Sequence, residues 1–298
     1  MPTTTTVNTG FKGTLAGEVL VQMYKSADTI EKGFITVVPN VIGSGFLPKI
    51  SYTGSLQAAS CGFNPTGTVQ YDEKEILTKR FKLEEEICKD KFAATFAAQS
   101  AGLVAGQAEV PANLQESIMM AMVKSVGQAV DLNIWQGNNS ANQMNGLLPQ
   151  FVADADVTKV TVVAATKANV VAQLELIYAS IPDALFADGD LKIGVSYNVG
   201  KAYRQALAAM GMNTTNGDKE LDYLGIPMVE LGGLPANSYV AARTNNLGFL
   251  TSLESDWNTV NVKDMDESDL SANIRTQVKF NAGVGYSFGT EIVYGKLA

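Results

Sequence analysis

The chain has 298 residues, 46% of them apolar and only 17% charged, with a net charge of −8 and no histidine. The lack of histidine excludes Ser-His-Asp and Cys-His nucleophile pairs and removes the commonest transition-metal ligand. The acidic balance argues against a nucleic-acid groove, which depends on clustered Lys and Arg.

So few charges suit either a surface buried against copies of the same chain or a fold with a polar, uncharged exterior. Cys61 and Cys88 lack CxxC spacing and read as free thiols in a reducing compartment. No window reaches the ~18 apolar residues of a membrane span, and the opening MPTTTTVNTGFKG lacks the charged-then-apolar pattern of a signal peptide.

Residues 1–10 are polar and threonine-rich and read as an arm that orders only against a partner. Leu15, Val19, Met23 and Ile30 fall at helical spacing, with Gly33 just past the end. FITVVPNV (34–41) reads as a short strand interrupted by Pro39. Residues 43–67 are rich in glycine and small polar residues. In the following TVQYDEKEILTKRFKLEEEI (68–87), Val69, Tyr71, Leu77, Phe81 and Leu83 share one parity and Lys74, Arg80 and Lys82 the other. We read 41–87 as one two-stranded excursion that needs something to lie on. A solvated helix is the alternative for its charged half.

Residues 89–101 predict a short helix with Phe92 and Phe96 one turn apart, and the strongest helix follows it. Pro111 suits its first turn, Leu114, Ile118, Met122, Val126 and Ala129 trace one stripe, and Met119, Val123, Val130 and Ile134 widen it as far as Gly137. Such a helix extends ~39 Å at ~1.5 Å per residue. Its methionines, Met119, Met120 and Met122, read as gap-filling core.

Beyond residue 150 strands and helices alternate. KVTVV, LKIGVS, IPMVEL, SYVAAR and LGFLTS read as strands, with helices in TKANVVAQLELIYASI and NVGKAYRQALAAM. In NIRTQVKFNAG, Ile274, Thr276, Val278 and Phe280 alternate with Arg275, Gln277, Lys279 and Asn281, so one face is buried and the other wet.

No phosphate-binding loop is present. Gly283, Gly285 and Gly289 read as a turn rather than a dinucleotide loop, and DMDESD (264–269) as a solvated acidic turn rather than a calcium loop. Asp183, Asp188 and Asp190 read as a plain connection, and Glu84, Glu85 and Glu86 face different ways. No catalytic constellation, cofactor site or metal site emerges, and a soluble α/β enzyme or ligand-binding protein would have to hide its site.

The order of elements carries more. A flexible arm, a charged ribbon, a beam-like helix, a Trp-Gln-Gly-Asn loop, an α/β region and a long return strand follow one another. This order resembles the major capsid proteins of tailed bacteriophages, whose fold is the Johnson, or HK-ninety-seven-like, type. The stretch Ile134-Trp135-Gln136-Gly137-Asn138, closing at Asn145-Gly146-Leu147-Leu148, is similar to the family's passage out of its spine helix. The segment LGFLTSLESDWNTVNVKDMDESD is similar to the C-terminal region of capsid proteins from phages of Bacteroidetes-like hosts.

The resemblance implies an α+β fold with an N-terminal arm at 1–33 and an extended β-loop at 41–78. It implies a peripheral domain with a long spine helix at 79–149 and 266–282, and an α/β axial domain at 150–265 and 283–298. Trp135, Gly137, Asn138 and Gly146 would form the hinge between the two domains, with Gly137 in a left-handed stop and Gly146 where a side chain would collide. Asp72, Glu73, Lys74, Glu75, Lys79, Arg80 and Lys82 would supply charge complementarity between subunits. The implied function is a non-enzymatic shell subunit, made in the host cytoplasm, that forms hexamers and pentamers in an icosahedral virion. Such a shell holds double-stranded DNA without specific binding and needs no cofactor. The implied partners are a separate rather than fused scaffold, a portal and decoration proteins, with no membrane. An encapsulin-like compartment shares the fold and is the other structural reading.

Overall fold

The computed structural model describes residues 9–12, 27–59, 61–63, 65–88, 112–187, 189–211, 221–252, 259–265 and 273–297. The chain opens with β1 (Thr9–Lys12), which pairs antiparallel with Thr259–Val262 of the same chain. The last residues of the expected arm therefore have a partner within their own protomer. Of the helix expected near 15–30, α1 (Asp28–Glu31) is described and the rest lies outside the described residues. Gly33 follows it at φ +60°, a conformation that favours glycine beyond a helix end.

After β2 (Thr36–Val38), β3 (Ser44–Thr53) and β4 (Thr68–Leu77) form a two-stranded antiparallel ribbon paired from Ser44↔Leu77 to Thr53↔Thr68. Strands of 10 residues extend about 33 Å. The ribbon does not continue to residue 87. At Thr78 the chain changes sheet, and β5 (Lys79–Cys88) is a strand of the main body rather than a helix or ribbon. Alternation could not reveal this change, because β4 and β5 both keep period two. Their surroundings differ: Leu77 is 69% exposed, while Phe81 and Leu83 pack against the core.

The long helix α2 spans Ala112–Gln136. Val126, Val130 and Ile134 are buried as their stripe predicts, whereas Ala129 is exposed. The expected helix at 89–101, and Pro111, lie outside the described residues. Then follow α3 (Leu147–Ala153), β6 (Thr158–Val162), α4 (Val170–Ala179), β7 (Leu191–Ser196) and α5 (Tyr197–Ala209). The rest is mostly strand: β8 (Leu221–Tyr223), β9 (Ile226–Leu231), β10 (Tyr239–Arg243), β11 (Leu247–Thr251), β12 (Thr259–Asp264), β13 (Asn273–Tyr286) and β14 (Val293–Leu297).

Among the described residues these strands make two sheets besides the ribbon. One runs β1-β12-β13-β11-β2, with β5 on the other side of β13, and the second runs β6-β14-β10-β7-β9-β8. β13 organises the first. Its early part is flanked by β5 and β12, and its last residues pair with β11. The alternation holds from Ile274 to Phe280, and from Asn281 onward both faces are buried. β11 reads in sequence as part of the α/β region, yet it pairs with β13 and β2. All five of its residues are buried, so no pattern distinguished which sheet it would join.

Two cores result. The first packs α2 and α3 with the β13 sheet, through Ile134, Trp135, Phe151, Phe249, Phe280 and Tyr286. The second packs α4 and α5 on the other sheet, through Leu174, Ile177, Val199, Ile193, Val195 and Met228.

Candidate functional site

The ribbon's register gives it two unlike faces. Phe46, Ile50 and Tyr52 of β3 share one face with Val69, Tyr71 and Leu77 of β4, since cross-strand partners such as Ile50↔Tyr71 and Tyr52↔Val69 point the same way. All six are at least 57% exposed, and Glu73 and Glu75 lie on the same face. Leu56 and Phe63 beyond the strands are bare as well. A two-stranded ribbon with an uncovered apolar face is marginal alone.

The other face seats the ribbon's base on the body. Ile76 is buried against Gly285: a Cβ there would lie 2.5 Å from Ile76 Cδ1. A Cβ on Gly283 would lie 2.8 Å from the Leu77 carbonyl oxygen. Gly283 and Gly285 are therefore not a turn. They are strand residues two apart, on one face of β13, and their missing side chains make the socket. Lys74 Nζ sits 3.4 Å from the Tyr286 ring centroid and Lys49 Nζ 5.5 Å from that of Phe288. Burial pushes the Lys74 ammonium pKa down, as does Lys49, while Asp154 and Asp156 oppose the shift. Tyr286 in turn donates to Asp154 Oδ2 at 2.6 Å, the main reason the Asp154 carboxyl lies below its ordinary range.

The passage out of α2 is a closed loop. Gly137 N–H donates to Asn133 O at 3.1 Å, finishing the helix, and Gly146 N–H returns to Gly137 O at 2.8 Å. Gly137 is not left-handed. The positive φ, +62°, belongs to Asn139, whose short polar side chain tolerates it. Glycine is required at 137 because a Cβ would lie 2.4 Å from Met144 O. At Gly146 a Cβ would lie 2.5 Å from Gly137 N, the collision expected there. Asn138 N–H donates to Gln143 Oε1 at 3.1 Å and Asn138 Oδ1 accepts from Ser140 N–H at 3.0 Å.

Trp135 is fully buried, tilted on Phe34 at 5.8 Å between centroids. Its indole N–H donates to Thr29 Oγ1 at 2.7 Å, and Thr29 N–H donates to Asp131 Oδ1 at 3.0 Å. The Thr29 hydroxyl and Gly233 N–H also donate to that carboxylate. Burial nevertheless raises the Asp131 pKa, and the neighbouring Asp28 adds to the rise. The network joins α1, α2 and the turn after β9, three segments far apart in sequence.

The charged residues singled out from sequence part company. Asp72, Glu73 and Glu75 are exposed on the ribbon, and Lys74 is turned onto its own body. Lys79, Arg80 and Lys82 belong to β5. Arg80 and Lys82 border a basic depression with Lys279, and Lys82 pairs with Glu84 at 2.9 Å. Asp190 accepts from Arg243 at 2.9 Å and from Asn245 at 3.0 Å, and no cluster of three potential metal ligands exists among the described residues. Sequence reading missed Thr29, Asp131, Asp154 and Tyr286. The one available signal was the glycine pair at 283 and 285, spaced for a single strand face.

No family model matches the chain, and no curated protein does. Solved structures do. A chain from the capsid of an empty GTA particle is 13% identical with a TM-score of 0.61, over 92% of this chain and 90% of that one. A chain of the satellite phage P4 procapsid, which includes the size determination (Sid) protein, is 16% identical with a TM-score of 0.56, over 94% and 98%. A chain of Gordonia phage Cozz is 12% identical with a TM-score of 0.58, over 91% and 87%. The likeness is one of fold, spans nearly the whole of each chain, and gives this protein the fold of tailed-phage capsid subunits.

Proposed function

We propose that this chain is a major capsid protein that assembles with copies of itself into an icosahedral shell around a double-stranded DNA phage genome. The observation that carries the reading is the fold shared along nine-tenths of the chain with capsid subunits. The ribbon supports it. About 33 Å of strand with a bare apolar face is of no use to an isolated monomer and suits contact with a neighbouring copy. Glu73 and Glu75 on that face, and Arg80 and Lys82 on β5, are opposite charges suited to steering such a contact.

The chain works by association rather than catalysis, as hexamers and pentamers within a virion. Residues 41–78 act as the extended loop, 1–33 as the arm, 79–149 with 266–282 as the peripheral domain and 150–265 with 283–298 as the axial domain. Scaffold, portal and decoration proteins would be separate chains, and the net charge of −8 suits a shell that confines DNA without gripping it. Electron microscopy and sedimentation of the purified chain test the reading. Closed shells or capsomer rings are the expected outcome, and a monodisperse monomer at every concentration would overturn it.

A further inference from the structure

The ammonium of Lys79 meets three backbone carbonyls of the loop that follows α2: Asn139 O at 2.8 Å, Ser140 O at 3.0 Å and Gln143 O at 3.2 Å. An ammonium has three protons to give and accepts nothing, so this loop takes its whole capacity. Hydrogen bonds from a charged donor are the stronger kind. The loop's own bonds close its neck, Gly146 N–H on Gly137 O at 2.8 Å and Asn139 N–H on Met144 O at 3.1 Å. They tie its tip through Gln143 N–H on Ser140 O at 3.2 Å and the Asn138 and Gln143 side chains, while Lys79 is the charged donor that reaches it from another element.

Lys79 also stands at the base of the ribbon. It follows Thr78, whose N–H and hydroxyl both donate to Gly43 O, at 2.8 and 3.1 Å, where the ribbon leaves the body. One residue thus begins β5, adjoins the point where the ribbon joins the body and bonds the loop between α2 and α3. Through Asn142 and Met144 that loop also walls an apolar groove of about 250 Å³ between α2 and the β5–β13 pair.

We propose that Lys79 couples the ribbon to the hinge: tilting the ribbon about Thr78 draws the ammonium out of its carbonyl ring, which unlocks the loop and reshapes the groove behind it. The inference rests on the protomer's own contacts and stands whether or not the chain builds shells.

Amide hydrogen exchange on the dilute full-length chain reads it, at the amides of Asn139, Gln143 and Gly146. Lys79→Met keeps the aliphatic stem and removes the donors, and should speed exchange at these amides about tenfold or more while leaving the β13 sheet protected. Lys74→Met loosens the ribbon's base from Tyr286 and should also speed loop exchange, but only while Lys79 is present, so that the double variant matches Lys79→Met alone. Ile76→Ala is a stronger loosening of the same base, and if it fails to fold Lys74→Met carries the test. Unchanged loop exchange in Lys79→Met would overturn the clamp. A Lys74→Met effect that is absent, or equally large without Lys79, would overturn the coupling.

Discussion

Around Gly137 the chain is constrained by neighbours rather than by φ. Met144 O and Asn133 O lie 2.4 and 2.7 Å from where a Cβ would sit, and both are backbone atoms that cannot rotate away. Gly137→Val should therefore cost roughly 1–3 kcal/mol as an overpacked site. Asn139→Ala gives up only a tolerated left-handed conformation, at about 1 kcal/mol. Urea midpoints should rank the two variants in that order, and equal midpoints would remove Gly137 from the neck. Two carboxylates make opposite pH predictions. Asp131 is raised, so its contribution to stability is full below the unfolded aspartate value of about 3.9 and is lost as pH rises through its higher folded value. Asp154 is lowered, so its contribution is full above that unfolded value and is lost as pH falls through the lower folded one. Unfolding of Asp131→Asn and Asp154→Asn against the parent from pH 3 to 7 should show stability differences that drift in opposite directions. Parallel curves would contradict both assignments.

The ribbon is an element held at one end. Tyr52, Leu56, Phe63 and Val69 of its far part are exposed, and its base relies on the Gly283–Gly285 socket, on Ile76 and on Lys74 over Tyr286. Gly283→Ala would push a methyl into the Leu77 carbonyl, and that group moves only if the ribbon moves. Limited proteolysis should then cut residues 54–67 faster than in the parent, with far-ultraviolet circular dichroism unchanged. An identical digestion pattern would show that the socket does not hold the ribbon. The pairing of β5 with β13 should survive, because its ladder and the tilted Phe81–Phe280 pair lie on the other side of Thr78.

For the molecule as a whole, the two cores account for the body without help from the ribbon, apart from Ile76 at its base. Replacing residues 46–66 with a short Gly-Ser turn should leave a folded, soluble protomer that forms no closed shells in electron micrographs. Normal shells would make the ribbon dispensable, and a misfolded protomer would place it in the core. Salt screens exposed charges beyond ~8–10 Å at physiological strength and more tightly above it. Assembled material should therefore dissociate in rising salt before its thermal unfolding transition moves.

Composition settled early that histidine chemistry was absent. Alternation marked the 274–280 face of β13, and helical spacing marked α2 from Val126 to Ile134. These are local properties, set by which side chains recur at period two or 3.6, and a sequence displays them directly. The loop after α2 was half legible. Its glycines and the collision at Gly146 could be picked out, but the reason for Gly137 could not, since Met144 O against Gly137 is a contact made by the loop folding back. The tertiary structure alone decided that the chain changes sheet at Thr78, that β11 joins β13 and β2, and that Gly283 and Gly285 receive the ribbon's base. It alone turned Lys74 and Lys79 inward and brought Thr29, Asp131 and Trp135 into one buried network. Each of these pairs residues distant in the chain, and a strand or a lysine reads the same in sequence whichever partner it will meet.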